Sequence, residues 1–473
     1  MLLIKNANLD GTGKIVDILI GDDGKYKEIA GHIEAPAGIE TIDATGMMAC
    51  PTFVNTHMHF DKAYTSYEQG RESYGKGNWI SSTEETLEDS IYVMHDRIRK
   101  YTPEAVAARA ERAIKDCVMY GTTKLRTNVD ISTLDPNLNA LKGVLMAKEA
   151  TKDICDLQVI AFPQEGIICD PGTDKLLEEA MEMGCDVMGG MPAAEMLDEH
   201  SREHVDFVFK MAEKYNCLID MHIDQSKDMF DRSLEYTAWL TMQHGWQGRV
   251  TGGHCTSITY QNQAHAIKVM KMLKQADVNV CANTQTLAIM GIDPEPRTRG
   301  VTRIREMVEM GINVVTAQDT ICDGFHLYGT GDPLDYGLVG CYCAQYNTPE
   351  AARTMWNMLT KASARVFDPE MKYGIEVGND ADLNLVEAPN VHDAIALPVP
   401  TSSATVKSLL PSSAGLSCCN TVLFSSLDIK PPHIPKAQRH RYPRCLWALS
   451  PSFISYKKIT LHPGIIPAVQ GDL

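Results

Sequence analysis

From about residue 50 to residue 320 the chain repeats one unit: a short β-branched run ending in polar or small residues, then an amphipathic stretch. Eight such runs occur, at 53–59, 124–130, 157–164, 186–192, 218–225, 249–255, 278–284 and 312–320. Strands that alternate with helical patterns specify a parallel sheet, because parallel neighbours need a crossover long enough to hold a helix. In the clearest helical pattern Thr102 is a candidate N-cap and Pro103 occupies the first helical position. Val106, Ala110, Ala113, Ile114, Cys117 and Val118 then share one face, and Gly121 ends the pattern. Eight units predict an α/β fold of the (β/α)8 TIM-type barrel class; an open doubly wound sheet normally has fewer.

The first fifty residues read differently, as short strands at 2–4, 16–20 and 41–43 with a hairpin turn at Asp23-Gly24. The segment 65–88, with Gly70, Gly75, Gly77 and Trp79, has no clear period. It follows the first barrel strand, so it reads either as a cover over the barrel mouth or as a solvated insertion. Residues 401–473 are compositionally foreign: 8 Lys/Arg against 2 Asp/Glu, with 11 Ser and 8 Pro. They are expected to be a poorly ordered or loosely attached tail.

Whole-chain charge narrows the partners. Lys and Arg number 44 against 61 Asp and Glu, a net charge of −17, which repels phosphate backbones and anionic membranes. No nucleic-acid or membrane partner is expected. No apolar run approaches a membrane span, and the N-terminus lacks a signal-peptide pattern, so a cytoplasmic location is expected. The 14 Cys include no CxxC pair, which removes zinc-ribbon and thioredoxin-type readings. No GxGxxG opens a helix after a strand, and the HxE…PCxxC signature of nucleic-acid deaminases is missing.

The chemistry is carried by ionisable residues at strand ends. His57 and His59, two apart, close the first run; His222 lies in the fifth, His254 in the sixth and Asp319 in the eighth. A lone strand-end His is usually structural, but in a parallel barrel the strand C-termini converge on one mouth. Imidazoles and a carboxylate meeting there suit a divalent metal, Zn2+ or Fe2+, with a position open for water.

The segment Pro51-Thr-Phe-Val-Asn-Thr-His57-Met-His59 resembles the first-strand signature of the amidohydrolase superfamily. The segments Phe162-Pro-Gln-Glu-Gly166, His222-Ile-Asp224, Arg249-Val-Thr-Gly-Gly-His254 and Gly311-Ile-Asn-Val-Val-Thr-Ala-Gln-Asp319 resemble its cytosine deaminase branch. The resemblance covers about residues 1–397, including Tyr373-Gly-Ile-Glu-Val-Gly-Asn-Asp-Ala-Asp-Leu383. It implies a barrel over 51–370, a small β-sandwich built from 1–50 and 371–400, and 401–473 as an atypical basic appendage. It further implies His57, His59, His222 and Asp319 as metal ligands. His254 and Asp319 would be catalytic, and Gln164 would bind the substrate's ring edge. Binuclear members use a carboxylated Lys on a middle strand; run 186–192 has none, which implies one metal ion. Such an ion lowers the pKa of bound water from about 15.7 to near 7.

Two positions depart from cytosine deaminases. Gln225 stands where they carry a proton-cycling Glu, and Thr320 replaces a second acidic residue. Asp61-Lys62 after the HxH resembles the branch that hydrolyses N-substituted aminotriazines such as N-isopropylammelide, in which the Lys lies near substrate; the alternative for Lys62 is a salt-bridged surface residue. The expected function is therefore hydrolysis of a C–N bond in a small heterocycle with release of ammonia. The alternatives are release of an amine from an N-substituted aminotriazine, or a catalytically silent heterocycle-binding homologue. Gln225 and Lys62 are candidate catalytic residues and Thr320 a candidate substrate contact; the chain is expected to act as a homo-oligomer.

Overall fold

The computed structural model of the protein describes residues 1–67, 91, 94–95, 97–289 and 301–397, together with two strands at Ala404–Lys407 and Thr421–Phe424. Most of the segment 65–88, with Trp79, and most of 401–473 lie outside the described residues.

The N-terminal strands are β1 (Leu2–Leu9), β2 (Ile15–Ile20), β3 (Tyr26–Ala30), β4 (Glu40–Asp43) and β5 (Met48–Pro51). The second sheet runs from β6 (Phe53–Met58) through β7 (Thr122–Asp130), β8 (Asp156–Phe162), β9 (Val187–Gly190), β10 (Leu218–Ile223), β11 (Val250–His254) and β12 (Asn279–Cys281) to β13 (Val314–Val315). Every one of the eight apolar runs contributes one of these strands, and they pair in parallel in sequence order. The sheet curls until its ends meet. Met58 of β6 bridges Asp319 in parallel, and the Asp319 amide donates to the His57 carbonyl at 2.9 Å.

The crossover helices follow the sequence pattern. In the helix Pro103–Met119 the Thr102 hydroxyl accepts from the Ala105 amide, and the buried residues are the six of the expected apolar face. The eighth strand is shorter than its apolar run. Only Val314–Val315 are in the ladder, because the chain beyond leaves it: Asp319 takes a left-handed φ of +69° and the Gln318 side chain bonds Gln285 and the Gly331 amide instead.

One end of this sheet is closed by a buried cation. Arg126 of β7 donates to Asp220 of β10 at 2.9 Å, to Gln158 of β8 at 2.9 Å, and to the carbonyls of Val366 and Phe367. Neither charge is exposed, so each depends on the other for compensation.

In the smaller sheet, β14 (Leu383–Val386) pairs antiparallel with β5, so the N-terminal residues and the stretch near residue 385 share one sheet. Leu383 and Leu385 pack with Leu2, Ile4, Ile18 and Tyr26 in its core. The composition of 401–473 suggests no strands, yet β15 (Ala404–Lys407) and β16 (Thr421–Phe424) extend this sheet from β14. The short, weakly patterned segments become strands because an open edge offers unpaired backbone groups. Among the described residues no helix is long and apolar enough to cross a membrane.

Replacing Arg126 by Met strands the Asp220 carboxylate, and we expect a loss of about 3–5 kcal/mol in urea unfolding. The double variant Arg126→Met/Asp220→Leu should recover much of that loss.

Candidate active site

The strand ends of the curled sheet converge on a cluster of imidazoles. His57 is on β6 and His59 just beyond it; His222 is on β10, and His254 ends β11. The ring centroids of His57, His222 and His254 lie 4.5 to 5.1 Å apart. One oxygen of Asp319 sits 3.5 Å from Nε2 of both His57 and His59. His59 Nε2 is 3.1 Å from His222 Nε2. Ligand atoms of His57, His222, His254 and Asp319 all fall within 4.8 Å of one another, a group able to hold a metal ion. The geometry thus brings together all five residues picked from the strand ends. It includes His254 in the compact group, whereas the family resemblance gives His59 that place.

The electrostatics suit a cation. Burial holds the His222 and His59 imidazoles well below their usual range, with neighbouring imidazoles and the Lys62 charge adding to it. Burial also pushes His254 down to about 3. Burial alone would raise the Asp319 carboxyl, but the adjoining His57, His254 and His59 imidazoles hold it well below the usual carboxylate range. Neutral imidazoles around an ionised carboxylate are the protonation states a divalent metal requires. Among the described residues, both nitrogens of His57, Nδ1 of His59 and His222 and Nε2 of His254 are buried without a hydrogen-bond partner. Buried polar atoms are costly when unpaired, so the residues fit a bound metal. Two backbone outliers accompany the cluster, since His254 and Asp319 both have φ of +69°.

A pocket of about 300 Å³ opens beside the cluster, lined by His59, Gln164, His222, Gln225, Thr286, Asp319, Thr320 and Phe325. The substrate-facing residues expected from sequence, Gln164, Gln225 and Thr320, therefore all line it. Thr286 and Phe325 were not foreseen; neither lies at the end of an apolar run. Phe162, at the end of β8, stacks on His222 with ring centroids 4.1 Å apart. A larger cavity of about 1190 Å³ shares Gln164 and Gln225 with the pocket.

Lys62 is not a surface residue. It is fully buried, its Nζ 3.5 Å from Asp61 and 3.8 Å from Asp130, between the rings of Phe162 and Phe325. Burial would lower this ammonium, but Asp61, Asp130 and Asp323 outweigh it and raise it. Burial pushes Asp130 up to about 8 and Asp323 to about 7, so the cluster limits its negative charge around one cation. The Asp-Lys pair after the HxH signals this group in the sequence; the partnership with Asp130 and Asp323 depends on the sheet's curvature.

A buried imidazole and carboxylate cluster at the strand ends of a parallel α/β sheet is the arrangement of metal-dependent hydrolases. Residues 81–408 match the Amidohydrolase family. The chain belongs to that family and is a metal-dependent hydrolase acting on C–N bonds. It is 29% identical to N-isopropylammelide isopropyl amidohydrolase of Pseudomonas sp. (strain ADP), over 81% of this chain and 90% of that protein. It is 26% identical to the pterin deaminase of Rhizobium rhizogenes, over 79% of this chain and 82% of the relative. Among solved structures, Klebsiella pneumoniae 5-methylcytosine deaminase liganded with phosphonocytosine superposes with a TM-score of 0.79 at 30% identity, covering 86% of this chain and 96% of that one.

Removing two imidazoles at once should empty the cluster of metal. The His57→Ala/His59→Ala variant is expected to lose stoichiometric zinc by elemental analysis while its far-UV dichroism is unchanged; full metal retention would show that the cluster is not the binding site.

Proposed function

We propose that the chain is a mononuclear, cytosine deaminase-like aminohydrolase that cleaves a C–N bond of a small nitrogen heterocycle and releases ammonia. In this reading the curled sheet is a (β/α)8 TIM-type barrel over 51–370, and 1–50 with 371–400 form a β-sandwich, followed by the basic segment 401–473. The chain works as a homo-oligomer, a reading supported by exposed apolar side chains such as Met196 and Phe230. The observation that carries the functional reading is that His59, His222 and Asp319 line the same pocket as Gln164 and Gln225.

His57, His59, His222 and Asp319 would hold one Zn2+ or Fe2+ ion. When bound, that ion supplies Lewis acidity and makes water a nucleophile at neutral pH. Asp319, buried and ionised, accepts the proton of the attacking water and passes it to the departing nitrogen. With the Asn283 amide nitrogen donating to His254 Nδ1 at 3.5 Å, the ring proton of His254 sits on Nε2, ready to donate to the developing tetrahedral oxygen. Gln164 offers the ring both a donor and an acceptor, and the Thr320 hydroxyl adds a further polar contact in the same pocket. Gln225 orients the ring without cycling a proton. The Lys62 ammonium, held by Asp61 and Asp130, adds positive charge beside Phe162.

A second reading, hydrolysis of an N-substituted aminotriazine with release of an amine, is supported by the larger cavity beyond Gln164 and Gln225. That space admits a ring substituent, and the amide of Gln225 suits a reaction without ring protonation.

The deciding experiment loads the protein with zinc or ferrous iron and measures ammonia and amine release from cytosine, isocytosine, creatinine, ammelide and an N-alkyl aminotriazine. Ammonia release that a chelator abolishes is the expected result. Amine from the alkylated triazine selects the second reading. Silence from folded, metal-loaded protein overturns both readings for these compounds and leaves a heterocycle-binding homologue or a substrate outside the panel. Since a general acid is worth about 10²–10⁴ in rate, Gln225→Glu should raise cytosine turnover by about 10²-fold.

A further inference from the structure

Below the loop that carries Gln164 lies a buried carboxylate and imidazole that the proposed reaction does not use. Glu195 follows the turn Pro192–Ala194 after β9, and His204 sits on the helix Asp198–Tyr215; neither side chain is exposed. The Met191 amide donates to His204 Nε2 at 3.0 Å. That nitrogen is therefore the acceptor, so the ring proton is on Nδ1, which donates to Glu195 Oε1 at 2.7 Å. The same carboxylate accepts three consecutive backbone amides: Ile167 at 2.7 Å, Ile168 at 3.1 Å and Cys169 at 3.0 Å. Burial alone would raise the Glu195 carboxyl, but His204 and these amides hold it down at about 2.

Both ends of this network terminate on Gln164. The three amides belong to the turn that follows it, and Met191, held through its amide by His204, accepts from Gln164 Nε2 at its sulfur, 3.2 Å away. Two glycines leave room for the approach. A Cβ at Gly166, whose φ is +86°, would lie 2.9 Å from Glu195 Oε1, and one at Gly190 would lie 3.1 Å from His204 Nε2.

A buried charge held by hydrogen bonds contributes little net stability, but it fixes geometry. We infer that Glu195 and His204 are positioning residues that hold Gln164 in the orientation that grips the substrate ring. The inference rests on the proposed ring-binding role of Gln164. Glu195 and His204 touch no reacting atom; they act by setting the loop after β8 against the end of β9.

The test compares zinc-loaded wild type with His204→Leu and His204→Gln, the latter retaining one acceptor for the Met191 amide and one donor for Glu195. Three quantities are read: amide hydrogen exchange over 164–169, zinc stoichiometry, and KM with kcat on the compound the panel identifies. A lost buried hydrogen bond to a charged group corresponds to about tenfold or more, so His204→Leu should speed exchange at 167–169 and raise KM by about tenfold. Zinc content and kcat should hold within about twofold on the same scale, and His204→Gln should restore exchange and KM. If His204→Leu does not fold, Glu195→Gln, which removes the charge and one of the acceptors of the 167–169 amides, has to give the same split.

Unchanged exchange in the folded variants, or faster exchange with unchanged KM, overturns the inference. So does a parallel loss of zinc, which would mark a general structural role. Where wild type turns over no panel compound, 5-fluorocytosine affinity replaces KM. If that ligand does not bind wild type either, the proposed substrate class fails, and the exchange data alone decide whether the pair holds the loop.

Discussion

The hydrogen bond from the Asp319 amide to the His57 carbonyl joins the chain just beyond the last strand, β13, to the first strand of the parallel sheet, β6. The rest of the site depends on that closure. Left open, the sheet would hold its first and last strands at opposite edges, and the carboxylate would be remote from the imidazoles. Closed, it brings residues from β6, β10, β11 and the segment after β13 to one mouth. The left-handed backbone at His254 and Asp319 costs conformational energy, and the surrounding ladder holds both residues in it.

The two ends of the curled sheet treat buried polarity in opposite ways. Around Arg126 the charge is closely compensated by Asp220, Gln158 and two carbonyls, so that region is structural. At the mouth, imidazole nitrogens are buried with no hydrogen-bond partner among the described residues. Desolvation keeps the His222 and His254 rings neutral, and Asp319, beside His57, is held ionised. An arrangement that leaves donors for a cation unpaired and supplies one anion is unstable as a core but suited to a metal site.

Membership of the amidohydrolase family sets the class of chemistry, and the pocket wall sets its variation. Gln225 is an amide beside the metal cluster, and Lys62 is a buried ammonium within a group of three carboxylates. The loop carrying Gln164 is anchored from below by Glu195 and His204, a network well outside the imidazole cluster.

Much of this was legible in the chain. The alternation of apolar runs determined the eight parallel strands, because a buried parallel strand and its crossover helix have different hydrophobic periods. The capping residues of the helix Pro103–Met119 and the strand-end positions of His57, His222 and His254 follow from the same local rules. Other features needed the tertiary structure. Lys62 gives no local sign of burial, since its acidic partners, Asp130 at the end of β7 and Asp323 in the loop after β13, are distant in the chain. The strands β15 and β16 form from unpatterned sequence because an existing edge accepts them. Thr286 and Phe325 reach the pocket from outside the strand ends, and His204 finds Glu195 only because a helix packs beneath the loop. Periodicity and strand-end chemistry are local and the sequence by itself determined them; burial, partnership and the sharing of one pocket are long-range, and only the closing of the sheet decided them.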